Sequence, residues 1–437
     1  MKRLLVFLCI SALVFAVASP LMAGGIDNKH NFSAEWVRTL NRNAATDSAD
    51  GVVYNPAGVV KMDEGLFVNL SAQYGFKDYA NTVGGTEYDS TEPDIVPGLF
   101  TLFRKDKWAG YAAFTIPAGG GSVDYDDGMA TTVRLSQEIM AGTNYVLTLP
   151  APIGMGLPTG NYYDTIVDQE LEGESYYYGF TIGGAYEIND WLSVSAGLRY
   201  IDAYREFGGS ATIGDSTGTF PDQTHRVKYE ETDDGWGGIL GVNVSPTDKL
   251  NIGIRYETET SLDLETDEKT DTLNGSVIRP NGIVTDDAER NRDLPALLGL
   301  GVSYQWTPEF RTEANLTVYF NDDADWDDDP ITAGDETDKD NGYDVGIAFE
   351  YLLLEDLKVS VGYMYTNVGI DDDDMLMAAP ELDAHTIAAG FAYEIMPDLD
   401  LNFGILNVFY QDETNSAGVK LEKEVVIMAL GLQYKFW

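Results

Sequence analysis

Cysteine is nearly missing from this chain. The one copy, Cys9, lies in an apolar run at the very start and has no lipobox-like context ahead of it. Once that run is cleaved, disulfides, thiolate catalysis and cysteine-ligated metals are excluded. Histidine is almost as scarce: His30, His225 and His385 stand without a surrounding motif, so the usual general base is hard to place and no enzyme is expected. Positive charge is also short, with 27 Lys and Arg against 72 Asp and Glu. Phosphate binding needs clusters of Lys and Arg, so nucleic acid is excluded as a partner. Long hydrophobic runs are missing after the first two dozen residues, which rules out helical membrane spans.

The one apolar run that exists, Leu4 to Ala18, follows Lys2 and Arg3 and precedes Ser19-Pro20-Leu21-Met22-Ala23. It reads as a secretory signal peptide, residues 1–23, with a small residue for cleavage. Its removal takes the formal charge from −45 to −47.

What is abundant is alternation. After residue 64, two-faced segments are joined by links that switch between short and long. The short links include 104–107, 189–190, 245–249, 307–308, 355–356 and 396–398; the long ones, rich in Asp and Gly, include 118–172, 265–292 and 322–340. Tight turns at one rim and long loops at the other are the asymmetry of a transmembrane β-barrel. Period-two alternation places strands near 65–79, 95–105, 107–117, 173–189, 191–208, 226–245, 249–264, 293–306, 309–321, 341–354, 357–368, 383–395, 399–410 and 424–437. That is an all-β chain with a fourteen-stranded antiparallel transmembrane barrel, residues 65–437, in the outer membrane of a Gram-negative cell. Val194, Ala196, Leu198 and Tyr200 share one face of their strand, and Ser193, Ser195, Gly197 and Arg199 share the other. In lipid the apolar set must face outward, so the polar set lines the lumen. The last strand carries Val426, Met428, Leu430, Leu432, Tyr434 and Phe436 in one phase before Trp437, which looks like the signal read by the barrel-assembly machinery.

Ahead of the first strand, residues 24–64 have no strand rhythm. Ser33 is a plausible N-cap for a short helix to Arg42, and Asn55-Pro56 is a turn signal because proline restricts the residue before it. In a barrel this wide, such a segment can serve as a plug.

The run Arg42-Asn43-Ala44-Ala45-Thr46-Asp47, then Asn55-Pro56-Ala57-Gly58, then a first strand, resembles the FadL-like family of outer-membrane transporters for long-chain fatty acids and aromatic hydrocarbons. The resemblance covers essentially the whole mature chain. It implies an N-terminal hatch gated around Asn55, Pro56, Ala57 and Gly58, and a monomer that moves a hydrophobic small molecule passively with no cofactor. It also implies a kinked third strand that opens the wall to the bilayer. Here Pro117, Gly119, Gly120 and Gly121 would make that kink, because proline cannot donate to the ladder and glycines weaken it. The plainer reading is that Pro117 merely ends the strand.

The loop after it is apolar for a surface: Leu135, Ile139, Met140, Val146, Leu147 and Leu149 are candidates for hydrophobic capture, or for a small core that caps the barrel. Arg199 and Arg255 fall in lumen phase and are candidates to bind a substrate carboxylate, although wall carboxylates such as Glu350 or Glu257 would occupy them equally well. The acidic runs Asp322-Asp323, Asp325, Asp327 to Asp329 and Asp371 to Asp374 match no complete calcium loop, so no metal is assigned. Divalent ions could still bridge them to lipopolysaccharide, which with the surrounding lipid is the expected neighbour of the outer loops. A hydrophilic diffusion porin is the alternative, and it would need an open, water-filled lumen.

Overall fold

The computed structural model describes residues 30–150, 154–277, 285–327, 339–371 and 377–437. Its wall is a closed antiparallel barrel of fourteen staves. In chain order these are β1 (Gly65–Val83), β2 (Asp94–Lys105), β3 (Trp108–Tyr125), β4 (Thr165–Asn189), β5 (Leu192–Gly214), β6 (Gln223–Thr247) and β7 (Leu250–Glu257). The second half comprises β8 (Leu297–Gln305), β9 (Phe310–Tyr319), β10 (Gly342–Leu354), β11 (Leu357–Asn367), β12 (Ala384–Met396), β13 (Leu399–Tyr410) and β14 (Lys420–Lys435). Each stave pairs with its neighbour in sequence, and β1 closes on β14 from Phe67↔Lys435 to Thr82↔Lys420. Closure leaves no edge, as hydrocarbon requires.

The period-two pattern assigns the faces as read from sequence. Leu198, Tyr256, Ile347 and Leu430 are exposed to the lipid side, while Ser193, Arg199, Arg255 and Glu350 are buried toward the lumen. Trp108, Trp191, Trp306 and Trp437 are exposed beside the short turns and form part of an aromatic girdle at that rim.

Several staves run longer than the alternation suggests. β3 continues past 117 to Tyr125, β4 begins at Thr165 rather than near 173, and β7 resumes as a polar extension, Asp263–Leu273, that pairs with β6 from His225↔Leu273 to Thr232↔Glu265. Beyond the bilayer no lipid demands an apolar face, so alternation fades while backbone pairing persists. The long outer stretches 118–172 and 265–292 therefore contain ladder as well as loop.

Inside the barrel lies residues 30–64, almost entirely buried. It holds two one-turn helices, α1 (Ala34–Val37) and α2 (Gly51–Tyr54), and a 3-10 turn at Gly58–Lys61. Ser33 caps α1 by accepting from the Trp36 amide at 3.1 Å, but the helix stops at Val37 rather than Arg42. Leu40 turns to a φ of 59°, outside the helical region, and Arg38 and Arg42 are drawn to Glu350 and to Asp47 and Asp50, so no second helical turn forms.

Candidate functional site

The N-terminal segment is seated by glycines that face the lumen. A Cβ on Gly253 would lie 2.0 Å from the Asn43 carbonyl oxygen, one on Gly362 would lie 2.1 Å from that of Thr39, and one on Gly404 would lie 2.6 Å from the Arg38 nitrogen. Any side chain at these points of the wall collides with the segment's backbone, so close approach is what these positions require. Charges reinforce the seat. Arg38 bonds Glu350 at 2.8 Å and Asn402 at 3.1 Å, Arg311 bonds the other Glu350 oxygen at 3.0 Å, and Lys358 reaches Asp47 at 3.4 Å. Within the segment, Arg42 bonds Asp47 at 2.8 Å and Asp50 at 2.6 Å. The two most deeply buried of these pairs, Arg38–Glu350 and Arg42–Asp50, hold register because breaking one leaves an uncompensated charge.

The Asn-Pro-Ala-Gly turn sits against the opposite side of the wall. The Asn55 amide donates to the Ala45 carbonyl at 3.0 Å and to Asn243 of β6 at 2.8 Å, while the Ala57 carbonyl accepts from Ser193 of β5 at 2.6 Å. Pro56 packs against Gly241, and a Cβ on Gly58 would lie 2.2 Å from the Asn55 amide nitrogen. Asn55, Pro56 and Ala57 thus meet the wall, while Gly58 packs within the segment against Asn55 and Ala45.

The wall is interrupted at Pro117. β2 and β3 pair only from Lys105↔Trp108 to Leu99↔Phe114, although β2 begins at Asp94 and β3 runs on to Tyr125. On its other side β3 keeps pairing with β4, but with register shifts between Thr115 and Ala118 and between Ala118 and Gly121. Gly119 and Gly121 have φ of 97° and 73°, a region that favours glycine, and Gly120 lies between them. Pro117 therefore lies inside a bulged stave rather than at its end. Above Phe114 the gap between β2 and β3 is spanned by side chains: Val96 packs on Ile116, and Ser122 bonds Asp94 at 2.9 Å.

The apolar outer segment forms a helix, α3 (Ala130–Thr148). Ile139, Met140 and Leu147 pack with Tyr163, Ile213 and Phe220 into a small cluster, Leu135 and Leu149 are half-buried, and Val146 is exposed beside Tyr145. The six residues divide between the cluster and a partly open apolar surface.

Below the outer rim, the lumen contains a narrow apolar slot of about 30 Å³, lined by Trp36 of α1 with Met364, Leu406, Val408, Tyr410 and Ile427 of the wall. It shares Val368, Glu381 and Leu382 with an acidic outer crevice of about 430 Å³. Neither Arg199 nor Arg255 reaches the slot. Both pair with Glu257, at 2.6 and 3.3 Å, and Arg255 also donates to the Val53 carbonyl.

The three histidines offer no catalytic grouping. Burial, followed by the charges of Arg255 and Arg199, holds His30 well below the ordinary imidazole range, so it stays neutral. His225 meets Asp271 at 3.0 Å and His385 meets the Tyr363 hydroxyl at 2.8 Å. Gly214 to Gly218 spells Gly-x-Ser-x-Gly, but Ser216 bonds Asp164 at 2.6 Å in an exposed loop and pairs with no histidine.

The profile of the family described as outer membrane protein transport protein (OMPP1/FadL/TodX) matches residues 14–436. The chain belongs to that family. It is therefore an outer-membrane transport protein and not an enzyme. Among solved structures, a FadL homologue from Pseudomonas aeruginosa is similar, with a TM-score of 0.70 over 95% of this chain and 100% of that one, at 14% identity. The toluene transporter TodX of Pseudomonas putida gives 0.62 over 94% and 100%, also at 14% identity. The toluene transporter TbuX of Ralstonia pickettii gives 0.57 over 92% and 99%, again at 14% identity. At such identities the likeness concerns the fold. No curated protein matches the sequence.

In this OMPP1/FadL/TodX-type barrel, sequence reasoning missed two features. The glycines that seat the segment were visible as lumen-phase residues, yet nothing in a strand pattern says what a glycine faces. The slot joins β11, β13 and β14 to α1, and no local spacing marks so distant a meeting. Among the described residues no cluster of His, Asp and Glu is placed to hold a metal ion. Asp328, Asp329 and Asp372 to Asp374, together with the signal peptide, lie outside the described residues.

Proposed function

We propose that this chain carries hydrophobic molecules passively through the outer membrane. The outer loops around the exposed edge of α3 take up the substrate, and the lumen receives it. The segment 30–64 acts as a hatch whose shift around Asn55 to Gly58 opens the path onward, and the gap beside Pro117 to Gly121 lets the substrate leave sideways into lipid. The observation that carries this reading is the unpaired stretch between β2 and β3 in a barrel whose lumen is otherwise filled. A filled lumen blocks free diffusion of water-soluble molecules, whereas a greasy one gains about 25 cal/mol per Å² by passing from water to an apolar wall. The toluene transport named for the two relatives above, TodX and TbuX, agrees with this direction.

The test is uptake by a transporter-deficient Gram-negative host that expresses the chain and is offered labelled oleate, toluene and a small sugar. Uptake of a greasy compound that falls severalfold with Asn55→Ala is the expected result. Passage of the sugar alone would overturn the proposal and make the barrel a diffusion porin with a folded N-terminal arm.

A further inference from the structure

We propose that residues 377–382 form a lid across the outer mouth of the lumen, latched by Asn81, Tyr125 and Lys423. The proposal rests on the transport reading above and adds the step by which a captured molecule enters. The stretch belongs to the connection that leaves the wall after β11 and rejoins it at β12. Its backbone, however, is held by distant staves. The Asn81 amide of β1 donates to the Met377 carbonyl at 3.0 Å, and the Tyr125 hydroxyl of β3 donates to that of Ala378 at 2.9 Å. The Lys423 ammonium of β14 donates to the Pro380 carbonyl at 3.0 Å and meets Glu381 at 3.8 Å. Around the closed wall β13, β14, β1 and β2 lie between β12 and β3. The stretch therefore crosses the mouth instead of following the rim.

Its side chains turn inward. Met377, Ala378 and Leu382 are buried in the same apolar cluster as Tyr79, Tyr125 and Ile427 of the wall and Trp36 of α1. With the stretch in place, the slot that Leu382 lines keeps only about 30 Å³, too little for a ring or an alkyl chain. One end of the stretch is pinned. Asp383 accepts from the Tyr365 hydroxyl at 2.9 Å, the Asn367 side chain at 3.0 Å and the Val368 amide at 2.9 Å, all on β11 or next to it. The β11–β12 ladder ends at Thr366↔Ala384, so the latches can let go and the stretch can swing about Asp383 with no strand pairing broken. Met129 and Ala130, at the start of α3, belong to the same cluster. An apolar molecule held at α3 can thus slip under the lid and replace the burial that Met377 and Leu382 give up. Residues 30–64 are seated by other contacts, which makes lid and hatch two closures in series.

The experiment reads the lid directly. Ala378→Cys places a thiol at a site only 3% exposed, in a chain without cysteine from residue 10 onward. On intact cells a membrane-impermeant maleimide should label it slowly. Adding Tyr125→Phe or Asn81→Leu, each of which removes one latch, should speed labelling at least fivefold. Without the added thiol, the same two changes should raise the initial rate of toluene uptake at least twofold, while a small sugar stays excluded by the seated hatch. Asn81 lies on β1, away from the interrupted β3, so agreement between the two variants assigns the effect to the lid and not to the gap. The heat-modifiable shift of the folded barrel on a gel checks that each variant closes. Fast labelling of Ala378→Cys alone, or labelling that ignores both latches, overturns the lid while leaving hydrophobic transport standing. Faster labelling with unchanged toluene uptake overturns its place on the route. Passage of the sugar, with no uptake of toluene or oleate by wild type, overturns the transport reading and this proposal with it.

Discussion

Two seams of the same wall behave differently. Between β1 and β14 the ladder runs without a register shift from Phe67↔Lys435 to Thr82↔Lys420. Between β2 and β3 it stops at Leu99↔Phe114, with eleven further residues of β3 left unpaired on that side. The contrast lies in local sequence. β14 presents Val425, Ile427 and Ala429 to the interior, each buried, and contains one glycine that matches the segment it covers. β3 places a proline and three glycines in a row where the ladder would need donors and extended backbone. One seam is laddered along its whole length, and the other carries no ladder beyond Phe114.

The largest predicted effect comes from closing the open seam. From residue 10 onward the chain has no cysteine, so a Val96→Cys, Ile116→Cys pair can be oxidised with no competing thiol in the barrel. These side chains pack together, and their bond would fasten β2 to β3 above the last paired residue. Hydrophobe uptake should fall more than tenfold on oxidation and return on reduction. An Ala72→Cys, Leu430→Cys pair across the sealed seam, where the two residues are direct partners, should change nothing. Equal loss in both, or in neither, would remove the functional meaning of the contrast.

A second effect concerns what stands behind the wall. Gly253→Val puts a side chain where the Asn43 carbonyl already lies, and overpacking of this kind costs about 1–3 kcal/mol. The barrel should still close while the segment is pushed from its seat, so cells should become several times more sensitive to large hydrophilic antibiotics. Gly110→Ala in β3 meets nothing within 4 Å and should be silent. Smaller again is Pro117→Val, which restores one donor without removing the glycines; uptake should drop about twofold to threefold in the same assay.

Much of this was legible before the structure. The face assignments around Arg199, Arg255 and Glu350, the staves and the closed barrel follow from period-two alternation, because lipid enforces it residue by residue. Where lipid ends, so does the signal: the polar extensions of β4 and β7 escaped notice because hydrogen bonding alone leaves little trace in composition. Pro117 and its glycines could be read as a strand end or as a kink, and only the pairing of Gly121↔Ser175 beyond the proline decides that the stave continues. The slot was illegible for another reason. Trp36 and Ile427 are nearly four hundred residues apart, and each is an ordinary apolar residue in its own neighbourhood.

A last predicted effect separates the two sides of the segment by pH. Glu35 lies in α1, where one carboxylate oxygen accepts from Ser48, Asn69 and Asn402 and the other has no partner. Burial, and next the charge of Asp50, push its pKa up to about 7, against the opposing pull of Arg42 and Arg38. An unseated segment would titrate near 4.5. A carboxyl whose seated pKa is raised stabilises the seat in its protonated form, so that contribution is full below about 4.5 and is lost as pH rises through about 7. Hydrogen exchange across residues 30–64 should accordingly quicken between pH 5.5 and 8 by about tenfold beyond the intrinsic trend, which is on the order of 1 kcal/mol. Glu35→Gln should flatten that excess. The Asn55 to Gly58 side, held by neutral amide and hydroxyl bonds to Asn243 and Ser193, should show none of it, so the excess belongs to the α1 side alone. A uniform response across the segment would mean that it unseats as one piece, and Glu35 would then be a passenger in that motion rather than its control.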